Sequence, residues 1–235
     1  MMGWMRRPFV LASLVLYVLL AIGSVAGLLR APDTQVAQAA ASPVGSVLQP
    51  AVCFADLAGG LTVTGIAVAA AAIDYPGVRG GRRLGLFAGW LGLSLAEALQ
   101  KDLLPVPGPT GALQGPNAGW CRAMEAVADG PVLGLGGAIL VGIEHLAHLP
   151  VSRHVPSLPY TFPSGHAARS SYVLGLLAAG FWGNGWLGWA VAAIGAVAEA
   201  WILVAAHWHW ASDVLAGWLL AGVTLAVVLP RRRRG

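Results

Sequence analysis

The sequence predicts an all-α protein: a polytopic membrane bundle of six transmembrane helices, with an extra outer segment that is re-entrant or lies on the surface. Three observations predict it. Hydrophobic residues make up 57% of the 235 positions and charged residues only 10%, whereas a soluble domain has about a quarter of its residues charged. Such a chain cannot cover a water-facing surface, but it can cover a lipid-facing one. Apolar runs of about 20 residues, the length that crosses a bilayer, recur along the chain. Basic residues cluster between and beyond these runs, at Arg6 and Arg7, at Arg79, Arg82 and Arg83, and from Arg231 to Arg234. The net charge of +4 therefore reads as a topology signal, because short basic loops stay in the cytoplasm. It does not form the stripe that nucleic acid requires, and no nucleic-acid partner is expected. The 32 glycines suit close approach of membrane helices. The length fits one membrane domain, 1–235, with membrane lipids as its surroundings.

The elements follow in order. Residues 9–29 form an apolar run after two arginines and predict a transmembrane helix. The rival reading is a cleaved signal peptide, since Val36-Ala37-Gln38-Ala39 has the form of a cleavage site. A signal core is usually only about 7–15 residues long, which favours the helix. Residues 31–50, rich in Ala, Pro, Ser and Gln, show no clear period and read as a loop. A second span runs from Ala51 to Ile73, broken by Asp74-Tyr75-Pro76-Gly77. A third runs from Leu84 to about Leu104 and ends at Pro105, Pro107 and Pro109. Trp120 to Leu149 is the extra segment. Further spans cover His166 to Trp182, Trp186 to Ala206 and Val214 to Leu229, with a tight turn at Gly183-Asn184-Gly185. Trp182, Trp186, Trp189, Trp208, Trp210 and Trp218 fall at or near span ends, where indoles favour the headgroup layer.

With the N-terminus in the cytoplasm and six spans, all three basic clusters fall on the cytoplasmic side, and so does the C-terminus. This requires that 120–149 does not cross the bilayer. Lys101, the loop up to Ser164, His166, His209 and Asp213 then share the outer, periplasmic or extracellular face. The glycine- and alanine-rich composition leans towards a bacterial inner membrane. Oligomeric state has no signal in the sequence.

Three segments at that face carry chemistry. Pro163-Ser164-Gly165-His166 stands at a helix start, where unpaired backbone N–H groups and the positive dipole end attract an anion. Ser164 can cap the helix and donate its hydroxyl to a phosphate oxygen. Gly165 lets a ligand approach the backbone. His166 can give a proton to a leaving group near neutral pH. The plainer reading is a turn beside an interfacial histidine. His209 is followed four residues later by Asp213, a spacing at which a carboxylate can orient one ring nitrogen and free the other for attack. The plainer reading is an interfacial histidine next to a helix-start aspartate. Lys101 at the end of the third span can meet a phosphate, or it can snorkel and pair with Glu97 one turn earlier.

Together these segments resemble the type 2 phosphatidic acid phosphatase (PAP2) family, integral-membrane relatives of the vanadium haloperoxidases. The family has three motifs: Lys, six residues, Arg-Pro; Pro-Ser-Gly-His; and Ser-Arg, five residues, His, three residues, Asp. Pro163-Ser164-Gly165-His166 matches in full, His209 to Asp213 matches the end of the third motif, and Lys101 with Pro109 matches the ends of the first. The PAP2-like core would cover about 51–230. The sequence departs from the family at both arginines: Gly108 holds the first position, and Ile202 and Leu203 hold the Ser-Arg positions. Neither Gly nor Leu replaces the guanidinium fork that matches phosphate. Arg169, one helical turn after His166, and Arg153, in the outer loop, are the candidate substitutes. For Arg169 the competing role is a structural pair with Asp56 or Glu97; for Arg153 it is a solvated loop charge, and Arg122 lies in the same outer region.

The resemblance implies hydrolysis of a lipid phosphate, as a phosphomonoester or diphosphate, through a phosphohistidine. Polyprenyl diphosphate, phosphatidate and phosphatidylglycerophosphate are the substrate candidates. His209 would attack phosphorus, Asp213 would orient it, and His166 would protonate the leaving oxygen. Lys101, Ser164, Gly165, Arg169 and Arg153 would bind the phosphoryl oxygens. No metal or cofactor is expected. The alternative is a non-catalytic relative that binds lipid headgroups or a partner after losing its arginines. A transporter has less support, since no paired broken helices stand at the midplane. Glu199 lies about 15 Å along its helix from His209 and reads as an interhelical partner. His207 reads as an interfacial histidine without chemistry. Cys53 and Cys121 either form a disulfide on the outer side or remain two thiols.

Overall fold

The structure, a computed structural model, describes residues 2–41, 61–74, 81–104, 106–109, 161–180 and 186–229. All seven elements among these residues are α-helices: α1 Met2–Val25, α2 Arg30–Ala41, α3 Leu61–Asp74, α4 Gly81–Leu103, α5 Gly165–Gly180, α6 Trp186–Ala205 and α7 Ala211–Val228. The expected outer segment at 120–149 lies outside the described residues.

Three of these helices are long and apolar enough to cross a membrane: Pro8–Val25 within α1, then α6 and α7. Their outward faces are apolar. Leu11, Ile194 and Val227 are 65%, 69% and 72% exposed, which suits lipid and not water. The expectation of six spans is thus met by three helices among the described residues. The described parts of two expected spans, the 14 residues of α3 and the 16 of α5, extend roughly 21 Å and 24 Å at 1.5 Å per residue; residues 51–60 and 181–182 of those spans lie outside the described residues. Helix α4 is long enough, but Arg82 and Arg83 at one end and Glu97, Lys101 and Asp102 at the other dilute its apolar character.

The predicted loop at 31–50 is corrected over its described part, where α2 forms a helix. Alanine, the strongest helix former, dominates its second half, and Pro32 sits in the first turn, where a missing N–H costs nothing. Asp33 in that turn complements the helix dipole. The bend from α1 into α2 turns on Gly27 (φ 71°). Leu28 N–H bonds to Gly23 O at 2.9 Å and Gly27 N–H to Ser24 O at 3.1 Å, the paired closure of a helix end around a left-handed residue.

Helix α7 packs against α1, α2, α4, α5 and α6. Its inward face repeats at helical spacing through Asp213, Ala216, Gly217, Ala221 and Leu225, all buried. Leu225 and Ala221 join Val68, Leu86, Leu93, Ala168, Tyr172 and Leu176 in one apolar cluster. Tyr172, fully buried, donates its hydroxyl to Leu86 O at 2.7 Å and ties α5 to α4. Helices α5 and α7 approach closely at Gly217. A Cβ there would stand 2.5 Å from Ser164 O and 3.1 Å from Ala168 N, so only glycine permits the crossing.

Gly217→Ala should push α7 off the start of α5, because the obstacle is backbone that cannot rotate away. We expect a loss of about 1–3 kcal/mol in unfolding experiments in detergent, with a fall in any activity of the site. Unchanged stability would mean that the two helices do not meet as described.

Candidate active site

Two helix starts and one helix end build the site. Ser164 is the N-cap of α5: its Oγ accepts the Ala167 N–H at 3.3 Å. The Ser164 N–H in turn donates to Asp213 O at 3.0 Å, which joins the start of α5 to the start of α7. The neighbouring loop is held by two further bonds. Thr161 N–H donates to Val106 O at 3.1 Å, and Trp210 Nε1–H donates to Pro107 O at 3.0 Å. The three segments singled out in the sequence are thereby drawn to one end of the bundle.

His209 is placed by the way α6 stops. His207 takes a left-handed conformation (φ 57°). Trp208 N–H reaches Leu203 O at 3.0 Å and His207 N–H reaches Val204 O at 3.0 Å. This is the same closure as at Gly27, with histidine where glycine is usual. Trp208 packs on the cluster that contains Leu203, the apolar contact that accompanies such ends. Leu203, at the position of a motif arginine, therefore serves the turn: its carbonyl also accepts the His209 N–H at 3.3 Å.

The His166 and His209 rings lie with centroids 6.1 Å apart and planes inclined by 54°, so two histidines 43 residues apart face one small space. Trp208 flanks His166 at 6.4 Å. Asp213 is fully buried. Its Oδ2 accepts the Trp210 N–H at 3.1 Å and stands 3.7 Å from His209 Nδ1, just beyond direct hydrogen bonding. Among the described residues, His209 Nδ1 and Asp213 Oδ1 have no hydrogen-bond partner. Burial pushes the His209 imidazole below its ordinary value, opposed by Asp213 and reinforced by the His166 and Lys101 charges.

Lys101 and Arg169 share one carboxylate. Lys101 Nζ bonds to Glu97 Oε1 at 2.6 Å, and Arg169 Nη1 bonds to Glu97 Oε2. Arg169 and Glu97 are buried while Lys101 remains partly exposed. Two cations and one carboxylate leave one net positive charge. The Glu97 carboxylate rests against Gly165, where any Cβ would collide with it. What approaches the Gly165 backbone is thus a side chain of the protein itself. The structural pairings with Glu97 weighed for Lys101 and Arg169 are both present. Glu199 bonds to Ser170, one turn below His166, as an interhelical partner.

Residues 135–234 match the family model of the PAP2 superfamily. This part of the chain resembles the PAP2 superfamily. The PAP2 match takes in Ser164, Gly165, His166, Arg169, His209 and Asp213; Lys101 and helices α1 to α4 lie before it. Comparison with curated proteins and with solved structures gives no match. Members of the PAP2 superfamily are generally phosphatases. Arg153, Arg122, Asp56, Cys53 and Cys121 lie outside the described residues.

Asp33 is the residue that sequence reasoning missed. Its carboxylate accepts the Ser212 N–H at 3.0 Å and the Ser212 hydroxyl at 2.6 Å. Burial pushes its carboxyl above the usual range, against the Ser212 hydrogen bonds. The only trace in the sequence is an isolated acid after proline, Pro32-Asp33, in an alanine-rich stretch.

His207→Gly should preserve the His209 turn, since glycine adopts φ above zero without strain. His207→Val should destabilise it by roughly 1–2 kcal/mol and lower any His209-dependent activity. Thermal unfolding of the two variants checks this, and equal stability of both would overturn the turn assignment.

Proposed function

We propose that the protein is an integral-membrane phosphatase acting on a lipid phosphomonoester or diphosphate through a phosphohistidine, with its site on the outer face and both termini in the cytoplasm. The observation that carries this reading is the facing pair His166 and His209, with Asp213 behind His209 and the capped start of α5 beside them. Apolar helices with lipid-facing surfaces support a membrane setting. A headgroup can then reach the histidines while its acyl or prenyl tail stays in lipid.

Each residue has a chemical part in the cycle. With Nδ1 turned to Asp213, Nε2 of His209 is the attacking nitrogen. Its lone pair forms the P–N bond as the P–O bond to the lipid breaks. His166 supplies a proton to the departing oxygen. In the second half, His166 takes a proton from water, the water oxygen attacks phosphorus, and the P–N bond breaks to return His209 and release phosphate. Asp213 stabilises the imidazolium formed in between. Lys101 and the N–H groups at the start of α5 balance the oxyanion charge. Arg169 takes the place of a missing motif arginine by keeping a cation next to Gly165, held there by Glu97. Arg153 is a second candidate for phosphate contact.

A second reading has its own observation. Glycine at 108 and leucine at 203 remove both phosphate-gripping forks, which favours a non-catalytic relative that binds lipid headgroups or a partner. Phosphate release by purified protein from polyprenyl diphosphate, phosphatidate and phosphatidylglycerophosphate separates the two. Turnover that disappears in His209→Ala supports the phosphatase, while equal rates in parent and variant would remove the phosphohistidine.

The pH dependence has a definite sign. Neutral His209 is the nucleophile, and burial lowers its value, so activity is retained below the ordinary histidine range of about 6.5 and lost as pH falls through the depressed value. Asp213→Asn removes a group that raises His209, so the acid limb should move lower still, while kcat drops by a factor on the order of 10²–10⁴. A rate profile with an acid limb at or above the ordinary histidine value would contradict the assignment.

A further inference from the structure

Helix α7 starts without a cap of its own. Its N-cap residue is Trp210 in an extended conformation (φ −73°, ψ 153°), and an indole has no acceptor for the N–H groups of the first turn. Half of a capping box is nonetheless present, because the Asp213 carboxylate accepts the Trp210 N–H at 3.1 Å. The missing half is an acceptor for the first-turn donors. Asp213 N–H finds Trp210 O at 3.1 Å. The buried Ser212 N–H finds the carboxylate of Asp33, 179 residues earlier in the chain, and the Ser212 hydroxyl finds its second oxygen.

We propose that Asp33 is a positioning residue for His209: it caps α7 from outside and so seats the Asp213–His209 pair. This rests on the phosphatase reading. The segment that carries Asp33 is itself anchored. Ala37, one turn further along α2, is 1% exposed and packs with Ala167, Ala200, Leu203, Val204 and Val214 from α5, α6 and α7. Asp33 and Ala37 thus present one face of α2 to the helices that carry the site. Asp213 is the third residue of α7 and His209 stands just before its N-cap. Their separation therefore depends on how the first turn of α7 is fixed, and the Ser212 bonds fix it. The PAP2 match begins at residue 135, so the N-terminal helices add a part that the matched segment lacks.

The experiment uses full-length protein in lipid vesicles, with rates measured on the lipid phosphate that the parent hydrolyses. Asp33→Ala should lower kcat roughly ten- to hundredfold, the order expected for small misplacement of a reacting group, with KM unchanged because Asp33 touches no substrate group. Asp33→Asn, which retains one carbonyl acceptor, should recover part of the loss. Ser212→Ala, which retains the backbone N–H bond, should lose less than Asp33→Ala. Thr34→Ala, on the exposed side of α2, should match the parent. A second readout needs no activity: the His209 ring resonance in histidine-labelled protein, followed through a pH titration. A loosened Asp213 holds the imidazolium less well, so the His209 midpoint should fall in Asp33→Ala. An unchanged or raised midpoint, or a kcat within about twofold of the parent, overturns the proposal. If Asp33→Ala does not fold, the same criteria apply to Asp33→Asn and Ser212→Ala. A parent inactive on every lipid phosphate would sink the phosphatase reading, and the His209 titration would still decide the role of Asp33.

Discussion

The bond between Ser164 N–H and Asp213 O, 3.0 Å long, joins the two helix starts on which the site is built. It forms only because α5 and α7 cross at Gly217, where a side chain would strike Ser164 O. The consequences spread outward from that crossing. Ser164 is free to cap α5 with its hydroxyl, Asp213 is buried in the first turn of α7, and His166 in the first turn of α5 and His209 just before α7 turn into the same space. Two loop bonds, from Thr161 to Val106 and from Trp210 to Pro107, bring the end of the first motif to the other two.

Charge at the site follows from one carboxylate. Buried cations are costly unless paired, and Glu97 pairs both Lys101 and Arg169. It lies against Gly165 at the start of α5, where the helix dipole favours an anion. The chain without its motif arginines therefore still holds two cations beside the histidines, and does so by placing a carboxylate of its own between them. On the phosphatase reading, an incoming phosphate meets a Lys101–Glu97–Arg169 cluster with one net positive charge and not two.

The PAP2 match covers 135–234, yet the bundle around it is completed from further upstream. Helix α1 packs along α7, Tyr17 bonds to Gln100, and Asp33 caps α7. These contacts join the beginning of the chain to α4 and to its last helix. The apolar faces left over, on α1 and α6, are the ones a membrane would cover.

Much of this was legible in the residues. The apolar runs fixed the helical class and the ends of α6 and α7 to within a few positions, because lipid demands unbroken hydrogen-bonded helix and punishes interior charge. The Pro-Ser-Gly-His turn and the His209–Asp213 spacing announced themselves because caps and short-range geometry are local. The helix at Arg30–Ala41 escaped notice because alanine carries no periodic contrast, and its stability comes from packing against α6 and α7. The role of Leu203 was hidden for a related reason: what matters at that position is a backbone carbonyl, which every residue possesses. The sequence alone thus determined a membrane helix bundle with histidines at two of its helix starts. Only the tertiary structure decided that Glu97 pairs with Arg169 and that Asp33 reaches Ser212. Such pairings depend on which helix faces meet, and a linear pattern holds no record of distance between residues 72 or 179 positions apart.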